Sequence, residues 1–221
     1  EAAYLRSLDF GTASPEDASA IYARYARGGV ADTVQYRHLQ DYLFHYVASE
    51  AGRLGLPAHI HTGAGCGSYF YLAGANPVLL EQVLNDATLR KTTFVLLHAG
   101  AVAYAPAIAY LVMKPNVYAD ISQQTWMESP QHLAASLRYW LEWFPEKVLF
   151  GTDLWPTGIP ELDWEEIGWQ TNDTARRALG IALTGMMGDG EISRAQAIAF
   201  ARDVLHDNAE RLYRLGRSLT P

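Results

Sequence analysis

LPAHIHTGAG, residues 56–65, follows a long helical pattern and carries a short apolar run into histidine, threonine and glycine. Residues 56–61 have the length and composition of a strand, and alternation along it puts His59 and His61 on one face. Three further runs repeat the arrangement at 92–98 (TTFVLLH), 117–120 (VYAD) and 148–150 (VLF), the last leading into Gly151-Thr152-Asp153. Helical signals separate them, at 77–84, 105–112 and 130–143. Strands buried on both faces and alternating with helices predict a parallel sheet with helical crossovers.

Upstream, Ser14-Pro15-Glu16-Asp17 reads as an N-cap, a proline at the first helical position and acids in the first turn. The helix it opens runs to about Arg27 and stops at Gly28-Gly29. A longer helix over 33–54 places Leu39, Tyr42, Leu43, Tyr46 and Val47 on one face. His38 and His45 lie on its flank and read as ordinary helix residues. Beyond Pro160 the pattern is helical, with a break at Gly188-Asp189-Gly190. No low-complexity linker or internal repeat interrupts the chain, so residues 1–221 are expected to form a single domain.

Composition narrows the function classes. The 221 residues are 49% hydrophobic and 19% charged, as in a well-packed globular protein. A net charge of −7 with no basic cluster argues against a nucleic-acid or anionic-membrane surface. Cys66 is the single cysteine, which excludes an intrachain disulfide and a cysteine-built zinc cage. No run reaches the ~18 apolar residues of a membrane span, and no signal-peptide pattern opens the chain. A cytoplasmic location is the expectation. The opening EAAYLRSLDF has no initiator Met and runs directly into structured-looking sequence, so the numbering is expected to begin inside a longer polypeptide.

The polar residues fall in a consistent order. Each strand leads to an ionisable side chain: His61, His98, Asp120 and Asp153. In a parallel α/β barrel the reactive groups sit at the carboxyl ends of strands. Imidazole nitrogen and carboxylate oxygen are zinc ligands, and a catalytic zinc leaves a position for water. Such water is acidified to a pKa near ~7, and a second histidine can handle protons. Small residues beside these ends, Thr62-Gly63, Ala99-Gly100 and Thr152, leave room for a ligand.

In their order and separation, IHTG (60–63), LLHAG (96–100), LFGTDLWP (149–156) and HDNAERLY (206–213) resemble the second amidohydrolase family. Its members are (β/α)8 TIM-barrel metal-dependent hydrolases and related decarboxylases, such as the aminocarboxymuconate-semialdehyde decarboxylase group. The resemblance spans about residues 1–215. It implies an α/β chain covering roughly strands five to eight plus C-terminal helices, with the N-terminal strands missing. It assigns His61, from strand five, as a metal ligand. Asp153, from strand eight, becomes a second ligand and the base. His98, from strand six, orients the water or polarises the substrate. Asp120, on strand seven, has no catalytic counterpart and reads as a loop or cap residue.

The family also carries a His-x-His pair on its first strand. If His59 and His61 were that pair, seven strand–helix units of ~30 residues each would have to follow. The 160 residues after His61 hold three recognisable strands, so the stretch belongs at strand five. His61 is then one ligand and His59 a neighbour within the barrel. By the same resemblance Arg6, in AAYLR (2–6), follows strand four and is placed to meet an anionic substrate. Tyr69 and Tyr71, after strand five, are placed to line a pocket.

The expected cofactor is a divalent metal, zinc before manganese or another ion. The expected reaction is attack of a metal-activated water on an amide, ester or lactone carbonyl, with His98 steadying the oxyanion. Non-oxidative decarboxylation of a small organic acid is its sister chemistry. The expected partner is a small-molecule substrate, with no nucleic acid and no membrane. A homo-oligomer stays open, because Trp140 and Trp143 can be interface or core. The alternative is a catalytically inactive remnant serving as a scaffold or interaction subunit, which would have to associate to cover its sheet edges.

Overall fold

The computed structural model describes residues 6–63, 71–154 and 163–215. Helix α1 (Pro15–Tyr25) begins where the Ser14 side chain accepts from the Asp17 N–H at 3.0 Å. Helix α2 (Thr33–Leu54) is capped by Asp32, which accepts from the Gln35 N–H at 2.9 Å. It stops at Gly55, whose φ of 69° supplies the left-handed turn that leads into β1 (Ala58–His61). A 3-10 turn over Pro77–Leu80 continues into the single-turn α3 (Glu81–Leu84). Then come β2 (Phe94–Leu97), α4 (Ala101–Leu111), β3 (Val117–Asp120), the short α5 (Gln124–Met127) and α6 (Pro130–Leu141). The chain closes with β4 (Val148–Leu149), α7 (Trp164–Gly188), α8 (Arg194–Arg202), a π-turn (Asp203–Asp207) and α9 (Asn208–Tyr213).

The strands lie in chain order, β1-β2-β3-β4, and every pairing is parallel. Ile60, Phe94, Leu96, Val117, Ala119 and Val148 are buried, as parallel strands covered on both faces require. The expected elements are present, with ends moved by particular contacts. Strand β2 starts at Phe94, after Thr92, whose hydroxyl donates to the Ala48 carbonyl of α2 at 2.8 Å. Strand β4 stops at Leu149 because the Phe150 N–H turns to the Val204 carbonyl at 3.0 Å. The break expected at residues 188–190 is where α7 ends.

The two tryptophans left open by the sequence separate. Trp140 is fully buried and its indole N–H donates to the Ala105 carbonyl at 2.8 Å, tying α6 to α4. Trp143 is 58% exposed. Helix α2 also carries an exposed apolar stripe, Tyr36, Leu43, Val47 and Leu54. Among the described residues no helix is long and apolar enough to cross a membrane.

Arg6 lies at the start of this framework, against α2. Its guanidinium is 2.8 Å from the Asp41 carboxylate, both side chains being largely buried, and it stacks 4.4 Å over the Phe10 ring. Removing one partner of a buried pair leaves an uncompensated charge. Arg6→Ala should therefore cost about 2–3 kcal/mol in denaturant unfolding, below the upper end of such losses because neither group is completely enclosed. An unchanged midpoint would show that the pair contributes nothing.

Candidate active site at the strand ends

Parallel strands in chain order bring their carboxyl ends into one row. His61 ends β1, His98 directly follows β2, Asp120 ends β3, and Asp153 follows β4 by four residues. His61, His98 and Asp120 are buried, whereas Asp153 is exposed. The backbone there is strained. Of the six non-glycine residues with positive φ among those described, five lie just past strand ends: His98, Ala99, Ala101, Gln123 and Asp153. A left-handed L-residue costs roughly 1–2 kcal/mol, and such strain concentrates at functional sites.

Tight packing holds the loops together. The Thr62 hydroxyl donates to the Leu97 carbonyl at 2.7 Å and accepts from the Gly100 N–H at 2.9 Å. Gly63, at φ +80°, lies so close that a Cβ there would overlap the Gly100 carbonyl group. A Cβ on Gly151 would in the same way meet the Asp120 carboxylate.

The histidine hydrogen bonds assign the protons. His98 Nδ1 lies 3.1 Å from the Ser122 carbonyl oxygen, which can only accept, so Nδ1 carries the hydrogen. The Ser122 hydroxyl, 3.0 Å from the same nitrogen, donates to Asp120 and is free to accept as well. In a neutral His98 ring Nε2 is then a bare lone pair, and it faces His61 Nδ1 at 3.2 Å. The hydrogen between them belongs to His61 Nδ1. A neutral His61 ring then has its lone pair on Nε2, the tautomer being set by the bond its other ring nitrogen makes.

Burial is the main reason His98 is neutral. It pushes the imidazole down to about 4, the neighbouring His61 adds to the shift, and the Ser122 carbonyl opposes it. Burial likewise pushes Asp120 up to about 6; hydrogen bonds from Ser122 and the His98 N–H oppose this, and the Asp153 charge adds to it. Between pH 6.5 and about 4 the unfolded chain holds a proton on this histidine that the native ring refuses. Acidification through that window removes the stability His98 contributes. Asp120 acts in the opposite sense, stabilising at low pH and losing that contribution as pH rises through about 6. By NMR the His98 ring should stay neutral down to pH 5 and titrate near pH 4. A titration near 6.5 would show that burial does not hold the ring neutral.

Asp120 caps the loop, as expected: it accepts from the Ser122 N–H at 3.0 Å and from the Ser122 hydroxyl. It is also a buried carboxylate that feels Asp153, a role the sequence reading missed. His59 turns to the C-terminal helix, its Nε2 lying 2.8 Å from the Tyr213 hydroxyl. Burial, with a contribution from Asp120, pushes that phenol up to about 12. Arg6 is engaged by Asp41 and Tyr71 is 72% exposed, while Tyr69 lies outside the described residues.

Sequence reasoning also passed over the segment after β3. Ser122, Gln123, Gln124 and Thr125 are all buried, and Gln124 Nε2 donates to the His98 carbonyl at 2.8 Å. Among the described residues the side-chain oxygens of Gln123, Gln124 and Thr125 have no hydrogen-bond partner, at a cost of about 1–3 kcal/mol each. Four consecutive polar residues, one position past the end of β3, were the available signal.

Among the described residues, three donors whose ligand atoms gather within 4.8 Å are His206, Asp207 and Glu210, on the surface. The strand-end groups do not form a three-member cluster of that kind. By donor type the strand ends supply the His61 imidazole and the carboxylates of Asp120 and Asp153, the first of which feels the charge of the second. Nitrogen and oxygen donors in an excess of negative charge fit a divalent cation.

The amidohydrolase family model matches residues 3–215. The chain belongs to the amidohydrolase family. A protein assigned as a metal-dependent hydrolase from Lactobacillus casei shares its fold, with a TM-score of 0.79 at 22% identity, over 99% of this chain and 55% of that one. Uronate isomerase from Thermotoga maritima aligns with a TM-score of 0.71 at 15% identity, over 94% and 48% of the two chains. A zinc-bound amidohydrolase from Burkholderia multivorans gives 0.52 at 16% identity, over 96% and 72%. Protein FluG of Emericella nidulans is 32% identical over 160 residues, which make up 72% of this chain and 17% of FluG. This amidohydrolase chain thus spans about a sixth of that curated relative and about half of the first two structures.

Proposed function

We propose that the chain carries strands five to eight of a (β/α)8 barrel and acts as a metal-dependent hydrolase on a small molecule with an amide, ester or lactone carbonyl. Non-oxidative decarboxylation of a small organic acid is the second chemistry the same groups would serve. His61 Nε2 and the Asp153 carboxylate would hold the ion, zinc before manganese or another divalent metal. The observation that carries this reading is the relay from the Ser122 carbonyl through His98 to His61, which sets the His61 tautomer with its lone pair on Nε2.

A divalent ion bound there would supply Lewis acidity and an acidified water. The chain's own groups divide the remaining work. His98 holds the His61 ring by its Nε2 and is itself anchored to Ser122 through Nδ1. Steadying an oxyanion would need a hydrogen on His98 Nε2, which burial resists, so orientation of His61 is the role its geometry favours. Asp153, which is exposed, would take a proton from the nucleophile. Asp120 fixes the loop behind both.

Metal analysis of protein purified in zinc or manganese tests the assignment. The wild type should carry about one ion per chain, whereas His61→Ala and Asp153→Asn should carry little. Equal content in all three would remove the site.

A second reading, an interaction subunit without catalysis, is favoured by the exposed apolar stripe on α2. It predicts association in sedimentation and no stoichiometric metal.

A further inference from the structure

The outer edge of β4 is occupied by the C-terminal segment. Leu149 faces β3, its carbonyl accepting from the Ile121 N–H at 3.0 Å. Backbone groups alternate sides along a strand, so Val148 and Phe150 point the other way. There the Val148 carbonyl accepts from Asn208 Nδ2 at 2.8 Å, and the Phe150 N–H donates to the Val204 carbonyl at 3.0 Å. Asn208 Nδ2 also donates to the Pro145 carbonyl at 2.8 Å. One side chain and one peptide group thus do the work of a neighbouring strand.

The π-turn makes this possible. The Asn208 N–H donates to the Asp203 carbonyl five residues back. In an α-helix it would bond Val204, four residues back. The extra residue in the turn leaves the Val204 carbonyl to receive Phe150. Asn208 is itself fixed: its Oδ1 accepts from Arg211, and Arg211 is held by Asp203 at 2.8 Å. Both Val204 and Asn208 are buried.

From this arrangement we propose that Asn208, acting with the Val204 carbonyl, is a positioning residue that sets β4 against β3 and thereby places Asp153. Leu149, the last residue of β4, is four residues from Asp153, and Phe150 is three. A strand of two residues has little pairing of its own to resist a shift. A displacement of that edge passes along Gly151 and Thr152 to the carboxylate. The clamp as such stands on the hydrogen bonds alone. Its effect on a metal ligand rests on the reading of Asp153 proposed above.

Two readouts keep these parts separate. Asn208→Ala is compared with Leu133→Ala, a core substitution in α6 whose side chain is fully buried and far in sequence from β4. Both are studied at denaturant concentrations giving equal global stability. Amide hydrogen exchange of the metal-free proteins should rise at residues 148–153 in Asn208→Ala only. Cobalt(II) affinity, read from its visible absorption, should fall about ten- to a hundred-fold in Asn208→Ala, as for other groups that orient a ligand. Leu133→Ala should keep the wild-type affinity.

Identical exchange at 148–153 in the two variants overturns the clamp. Raised exchange with unchanged cobalt affinity overturns its role in placing Asp153. If wild type and His61→Ala bind cobalt alike, the metal assignment fails instead, and the exchange result still decides the clamp.

Discussion

The His61→Ala protein should fold and yet lose divalent-metal affinity by at least about a hundred-fold, the upper range seen when only an outer partner of a ligand is removed. The stability cost is small by comparison. Deleting the ring leaves His98 Nε2 without the hydrogen it accepts at 3.2 Å, a loss of about 1–2 kcal/mol for a neutral acceptor. His98 keeps its anchor on Ser122, so the loop after β2 stays in place. His59→Ala is the informative comparison, because His59 shares the strand and its face. That variant loses the 2.8 Å contact with Tyr213 but no proposed ligand, and its metal affinity should match the wild type. Titration with zinc against a competing chelator reads both variants. Equal losses would make the two histidines a ligand pair and overturn the assignment of one ligand and one neighbour.

Gly63→Ala should be the most damaging single substitution to the fold of the site, at about 4 kcal/mol or more. Two effects add there. The backbone sits at φ +80°, where a Cβ costs about 1–3 kcal/mol. That Cβ would also overlap the Gly100 carbonyl group and the Ala101 nitrogen, which are backbone and cannot rotate away. Overpacking of this kind adds typically ~1–3 kcal/mol. Relief requires the loops after β1 and β2 to separate, which breaks the Thr62 hydroxyl bridge to Leu97 and Gly100. The same movement would pull His61 away from His98. Urea unfolding should therefore show a lowered midpoint, and zinc affinity should fall with it. A variant with wild-type stability would mean that the loops have slack that their contacts do not suggest.

The fold was legible wherever local chemistry decides it. Ser14 announces a helix start and caps one, and Gly28, Gly29 and Gly190, where the helical pattern breaks, have positive φ. Four short apolar runs became four parallel strands because their pattern admits little else. His61 and His98 were legible because a polar residue ending an apolar run is out of place without a partner. The partners themselves were not. Ser122 is joined to His98 across 24 residues and Asn208 to Val148 across 60, and neither spacing leaves a periodic trace. Arg6 was read as facing a substrate, but its pairing with Asp41 depends on how the first residues cross α2. The π-turn is equally silent, since its extra residue leaves the helical pattern of 194–213 unbroken to the eye.

Nitrogen-15 NMR of ring-labelled histidine, recorded before and after addition of one equivalent of zinc, addresses the proposed ligation through His61 Nε2 most directly. The account predicts that Nδ1 of His61 keeps its hydrogen throughout, in its bond to His98, while the Nε2 resonance takes the large shift on zinc addition. Loss of the hydrogen from His61 Nδ1, or no change at either nitrogen, would contradict it.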